Sequence, residues 1–154
     1  GLESTIIDCS GPVPVLLRPG GISRKAIEAG LHYAGLDCYL RDADSLSYSD
    51  QPNAPGQLQS HYAPDASVRL NATFPHGDEE LIGFGTVPGA GQLSLSLSPD
   101  GNISEAAANL FAMLHQADAV TTGTKRKIAI APVPKKGIGE AINDRLHRAA
   151  APRN

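Results

Sequence analysis

Apolar positions along this chain come in short bursts whose spacing alternates between two residues and three to four. Ile6-Ile7 and Val13, Val15, Leu16 and Leu17 form two brief apolar runs around Ser10-Gly11-Pro12, which predicts two strands joined by a turn. Ser23 can cap a helix with its hydroxyl, and Ile22 and Ile27 sit where a hydrophobic staple would close over that cap. Ala26, Ile27, Leu31 and Ala34 then recur at helical spacing until Gly35, a natural helix stop. Residues 1–40 therefore read as a compact β-β-α unit.

Residues 41–66 read differently. The stretch RDADSLSYSDQPNAPGQLQSHYAPDA is rich in Asp, Ser, Asn, Pro and Gly and holds no sustained apolar period, so it reads as a long linker. A second core begins at Ser67. Val68–Ala72, Leu81–Gly85, Leu93–Leu97 and Ile128–Ala131 read as strands. Asn102 with Glu105 three residues on is a capping box, opening a helix with Ala106, Ala107, Leu110, Phe111 and Leu114 on one face. Ile138 to Ala150 is a last helix with Ala141, Ile142, Arg145, Leu146 and Ala149 on one stripe, stopped by Pro152. Strands alternating with helices predict an α/β fold with a mostly parallel sheet over 67–154.

Composition narrows the function. Of 154 residues, 41% are apolar, enough for a core, and the net charge of −3 lacks the basic excess of a protein that grips nucleic acid electrostatically. No apolar run approaches the roughly 18 residues of a membrane helix. Cys9 and Cys38 fit no metal spacing; the two could pair, but they read first as two reduced thiols of a cytoplasmic protein.

Several residues could carry chemistry. Arg18 ends an apolar run and precedes Pro19-Gly20-Gly21; a planar guanidinium beside a flexible bend suits a phosphate, although a surface ion pair uses the same residue. Ser4 and Thr5 place two hydroxyls before a strand, where they could bind an anion or simply shape a turn. His61-Tyr62-Ala63-Pro64 puts two aromatics in the linker, as a docking point or a lid would need. Lys125-Arg126-Lys127 reads as a solvated turn, and Gly137-Ile138-Gly139 as a tight strand-to-helix turn more than a phosphate loop. Asn143, Asp144 and Arg145 project in different directions from one helix, which predicts that they do not form one cluster and that Arg145 carries a structural ion pair. His32, His76, His115 and His147 show no metal-ligand spacing.

GLESTIIDCSG, LLRPGGIS, APGQLQSHYAP and GIGEAINDRLHRAA occur in this order. Together they resemble Sua5-type threonylcarbamoyl-AMP synthases, over nearly the whole chain. The resemblance implies that residues 1–40 are the last β-β-α portion of a YrdC-like catalytic domain, 41–66 a linker over the active site, and 67–154 a three-layer Rossmann-like Sua5 domain. It implies a C-terminal fragment, inactive alone, of a nucleotidyltransferase that joins L-threonine, bicarbonate and ATP into L-threonylcarbamoyladenylate and pyrophosphate. Downstream tRNA threonylcarbamoyltransferase proteins would pass the group to an adenosine of tRNAs reading codons that begin with A; a weak contact with tRNA itself stays open.

Residue by residue, the resemblance implies that Ser4, with Thr5 beside it, contacts L-threonine. It implies that Arg18 contacts the ATP phosphates and that Tyr62, with His61, closes over the nucleotide. Mg²⁺ is expected to arrive with ATP. At Gln57-Leu58-Gln59-Ser60 the chain departs from the family, which commonly carries a Lys-Tyr pair there. The alternative reading is a non-catalytic module that binds a nucleotide or a partner protein in a regulatory role.

Overall fold

The computed structural model describes residues 2, 4–43, 63–90 and 95–151. The first two apolar runs become an antiparallel pair, β1 (Ile6–Asp8) and β2 (Val15–Arg18). The Asp8 carboxylate accepts the Ser10 amide at 2.8 Å and starts the turn between them. All four residues of β2 are buried, Val15 and Leu17 clustering with Ile6 and Ala43. Helix α1 (Arg24–Tyr33) starts at Ser23, whose Oγ accepts the Ala26 amide at 3.3 Å. Gly35, at φ 81°, ends it by a turn that an L side chain resists.

The first unit does not stop at residue 40. Arg41–Asp42 returns as β3, parallel to β2. Its anchors are the Arg41 amide on the Pro14 carbonyl at 3.0 Å and the Arg24 guanidinium on the Leu40 carbonyl at 2.7 Å. Two polar residues paired this way carry no apolar signal, which is why composition assigned them to the linker.

The second unit is a four-stranded sheet of β4 (Val68–Arg69), β5 (Glu79–Gly83), β6 (Leu95–Ser96) and β7 (Lys127–Ile130) with helices α2 (Ile103–Thr121) and α3 (Ile138–Ala149). Strand order is β4-β7-β5-β6 and every pairing is parallel. Alternation along the strands decides the two faces. Ile82, Ile128 and Ile130 point to one side, where Leu110, Leu114 and Ala117 of α2 and Ile142, Leu146 and Ala149 of α3 cover them. Leu81, Ala129 and Ala131 point to the other side and pack with Ala72, Val87, Phe84 and Ala90. Among the described residues, that third layer is built from loop.

Two local differences from the sequence pattern have physical causes. β5 begins at Glu79, two residues before its apolar run, because Glu79 and Glu80 are buried against arginines: Arg69 on Glu79 at 2.6 Å and Arg126 on Glu80 at 2.9 Å. Arg126 therefore leaves the solvated basic turn expected for Lys125-Arg126-Lys127. At the start of α2, Asn102 Oδ1 accepts the Ser104 and Glu105 amides as the capping pattern requires. Glu105, however, accepts from the buried Ser98 hydroxyl, and Ser98 Oγ accepts the Asn102 amide at 2.9 Å. The box closes through a third residue supplied by the segment that follows β6.

Candidate functional site

Ser4, Thr5 and Arg18 meet at one place. Arg18, 6% exposed, donates from Nε and Nη2 to the Ser4 carbonyl at 3.2 and 3.1 Å. The Thr5 hydroxyl accepts the Ile22 amide at 3.1 Å and donates to the Ile22 carbonyl at 2.8 Å. The approach to β1 is thus laced to both ends of the Pro19-Gly20-Gly21-Ile22 bend. A guanidinium fork and a β-branched hydroxyl do this because each serves two hydrogen bonds without moving.

The bend is open on one side. A Cβ added at Gly21 would meet nothing within 4 Å, while Gly20 is buried. Neither glycine is among the described residues with positive φ, so the bend needs small residues for access more than for left-handed backbone. The Ser4 residue is exposed beside it. A cation whose charge is fixed behind an exposed serine and an open glycine is suited to an anionic ligand.

His61 and Tyr62 lie outside the described residues. The end of the linker is placed, and it rests on α2: Pro64 is buried, and the Asp65 amide donates to Asp118 Oδ1 at 2.7 Å. Ala63 and Pro64 line a small cleft with Phe111, Leu114, His115 and Asp118. None of the bend residues lines that cleft, which is therefore a docking point for the linker end and separate from Arg18.

The last helix also reaches the bend. Arg145, 3% exposed, donates Nη2 to the Pro19 carbonyl at 3.3 Å. Its Nη1 meets Asp144 Oδ2, and Asp144 in turn takes a two-point contact from Arg148, at 3.1 Å from Nε and 3.0 Å from Nη2. The ion pair expected of Arg145 is present. The expectation that Asp144 and Arg145 diverge is corrected, because the long arginine side chain folds back onto its neighbour. Asn143 does point elsewhere, donating to the Val133 and Gly139 carbonyls at 3.1 and 2.8 Å. Arg24 is a second link missed in the sequence: it contacts Glu140 at 3.4 Å and pairs with Asp42. An arginine within an otherwise apolar buried stripe was the available signal for Arg145; nothing in the sequence marked Arg24.

Glu79 has a distinct electrostatic setting. Hydrogen bonding from the Arg69 guanidinium, outweighing the cost of burial, holds its carboxyl down to about 2. Its carboxylate also takes the His76 amide at 2.8 Å. The cluster braces the edge of the sheet.

Fold and site together define a parallel α/β domain joined to a strand–bend–helix unit that holds a buried arginine beside an open glycine. A family model described as the C-terminal domain of threonylcarbamoyl-AMP synthase matches residues 22–151, and the chain belongs to that family. A threonylcarbamoyl-AMP synthase of Pyrococcus abyssi is 31% identical over 97% of this chain and 46% of its own length. One of Bacillus subtilis is 38% identical over 53% of this chain and 22% of its own. The crystal structure of P. abyssi Sua5 complexed with L-threonine superposes with a TM-score of 0.73 at 29% identity, over 97% of this chain and 46% of that one. A P. abyssi Sua5 variant with a histidine and a tyrosine replaced by alanine superposes with a TM-score of 0.67 at 27% identity, over 96% and 44%. The chain thus spans about half the length, or less, of the relatives it matches.

Proposed function

We propose that this chain supplies the C-terminal half of an L-threonylcarbamoyladenylate synthase. In the proposed reaction the L-threonine nitrogen bonds to the bicarbonate carbon, a C–O bond of bicarbonate breaks and its oxygen leaves as water. An oxygen of the resulting carbamate bonds to the α-phosphorus of ATP. The bond from that phosphorus to the bridging oxygen breaks, and pyrophosphate leaves with the electron pair. The product serves tRNA threonylcarbamoylation through partner proteins that take over the acyl group.

The observation that supports this most is the lacing of Ser4, Thr5 and Arg18 around one open bend. Arg18 holds a fixed positive charge where the phosphates would lie, offsetting the charge that grows on the leaving group. Ser4, oriented through its own carbonyl, would meet L-threonine; that the P. abyssi relative was solved as a complex with L-threonine supports threonine as a substrate. Thr5 keeps the bend closed on β1. Tyr62 and His61 are proposed to shield the carbamate from water over the nucleotide. Mg²⁺ would be carried on the ATP phosphates. No described helix is long and apolar enough to cross a membrane.

The first unit exposes Ile22, Tyr33, Leu36 and Tyr39, and this apolar set supports a face that the other half of the synthase covers. The test is to supply L-threonine, bicarbonate and Mg-ATP and to detect threonylcarbamoyl-AMP by mass spectrometry. The 154-residue chain alone should yield none, and the chain fused behind the N-terminal half of the P. abyssi relative should turn over. Absence of product from the folded fusion would reject the synthase reading.

A further inference from the structure

The proposed chemistry belongs to the first unit, yet two side chains of α3 hold the bend on which that chemistry depends. Arg145 grips the entry, through the Pro19 carbonyl next to Arg18, at 3.3 Å. Glu140 grips the exit, through Arg24, the first residue of α1, at 3.4 Å. The bend is so held from both ends by one helix more than a hundred residues away in sequence.

Each arginine has further partners that orient it. The Arg145 side chain is buried and its plane is set by Asp144, which is itself fixed by Arg148. One guanidinium can face an acid with one nitrogen and a carbonyl with another because its donors are fixed in a plane; a lysine cannot reproduce that fork. Arg24 is held by the Leu40 carbonyl at 2.7 Å and by Asp42 as well as by Glu140. The root of α3 is anchored in turn, since Asn143 ties its first turn to Val133.

We infer that Arg145 and Glu140 are positioning residues, holding the Pro19–Ile22 bend so that Arg18 faces the nucleotide. The catalytic consequence rests on the synthase reading; the mechanical one does not. This gives the second unit a role in the reaction without any contact with substrate: it sets the resting geometry of the ATP side of the site.

The test uses Arg145→Met, Arg145→Lys and Glu140→Gln, in both the 154-residue chain and the active fusion. In the chain, hydrogen exchange of peptides covering residues 19–24 should accelerate about tenfold in Arg145→Met while β5 and β7 keep their protection. In the fusion, the KM for ATP should rise about tenfold with kcat within threefold of wild type. Arg145→Lys should recover less than half of the loss. Should Arg145→Met not fold, Glu140→Gln, at a partly exposed position, carries the test with a smaller change in the same direction. Unchanged exchange over 19–24 in a folded variant would overturn the inference, as would a fall in kcat with the KM for ATP unmoved. A wild-type fusion that makes no product would remove the synthase reading alone, leaving the exchange result to decide whether α3 holds the bend.

Discussion

Arg18 directs two guanidinium nitrogens at a single backbone oxygen, the Ser4 carbonyl, at 3.2 and 3.1 Å. The charge proposed to meet phosphate is therefore also a structural tie, and the two roles separate by substitution. A hydrogen bond from a charged donor contributes about 1.5–3 kcal/mol. Arg18→Ala should lower the unfolding free energy by about 2–4 kcal/mol, since it also empties a buried site. Arg18→Lys keeps the charge but loses the fork and should cost about 1 kcal/mol. In the active fusion, product formation should fall about a hundredfold with alanine and less with lysine. Urea unfolding and mass spectrometry read the two effects. An alanine variant as stable and active as wild type would refute both roles.

Thr5 offers a cleaner probe of the bend. Its hydroxyl both accepts from and donates to Ile22, and Thr5→Val removes it at nearly constant volume. The site is partly exposed, so water can replace the lost partners and the cost should be only about 1 kcal/mol. Thr5→Ser should retain both bonds. In a thermal melt valine should therefore lower the midpoint by several degrees and serine by less. Equal midpoints for valine and wild type would mean that the Thr5–Ile22 pair does not brace the bend.

Much of this was legible in the sequence because local rules decide it. Ser23 and Asn102 cap the helices expected of them, and the α3 stripe of Ala141, Ile142, Arg145, Leu146 and Ala149 is buried throughout. Ser4, Thr5 and Arg18 stood out in the sequence as candidate anion contacts, but hydroxyls before a strand and an arginine after one are common, and their hydrogen bonds around one bend were not legible. What escaped depends on partners distant in the chain. β3 exists because Arg41 finds Pro14, and β5 starts early because Arg69 and Arg126 neutralise buried glutamates. Arg145 was read as half of an ion pair; its reach to Pro19 spans 126 positions, a relation that helical periodicity does not contain.

Glu79 predicts a specific acid sensitivity. Its carboxyl is lowered from an ordinary 4.5 to about 2, first by the Arg69 hydrogen bond. A carboxyl lowered in the folded state adds stability that is complete above its unfolded value and is lost as pH falls from about 4.5 through about 2. At about 1.4 kcal/mol per unit this is at most about 3–4 kcal/mol, and solvent at the partly exposed Arg69 reduces it to about 2. Glu79→Gln should therefore be less stable than wild type by about 2 kcal/mol at pH 7, with the gap closing as pH approaches 2. Urea midpoints of both proteins between pH 7 and pH 2 check this; a gap independent of pH would mean that the ion pair is not its source.

Gly139 stands where a side chain cannot fit. A Cβ there would stand 1.9 Å from the Pro134 carbonyl oxygen and 3.1 Å from its carbon. Both are backbone atoms, so no side chain can swing aside; either α3 or the β7–α3 loop must move. The Asn143 amide fixes that loop through Val133 and the Gly139 carbonyl, so displacement would also break buried hydrogen bonds. Gly139→Ala should then cost about 3 kcal/mol or more. Gly30 in α1 is the contrast, with nothing within 4 Å of an added Cβ. Gly30→Ala should raise stability by about 0.5–1 kcal/mol, because alanine loses less backbone freedom on folding. The urea midpoints of the two variants should move in opposite directions. Because α3 carries Arg145, Gly139→Ala should also accelerate exchange over residues 19–24, where Gly30→Ala should not. If Gly139→Ala matched wild type in stability, the close seating of α3 on Pro134, and with it the fixed position of Arg145, would be refuted.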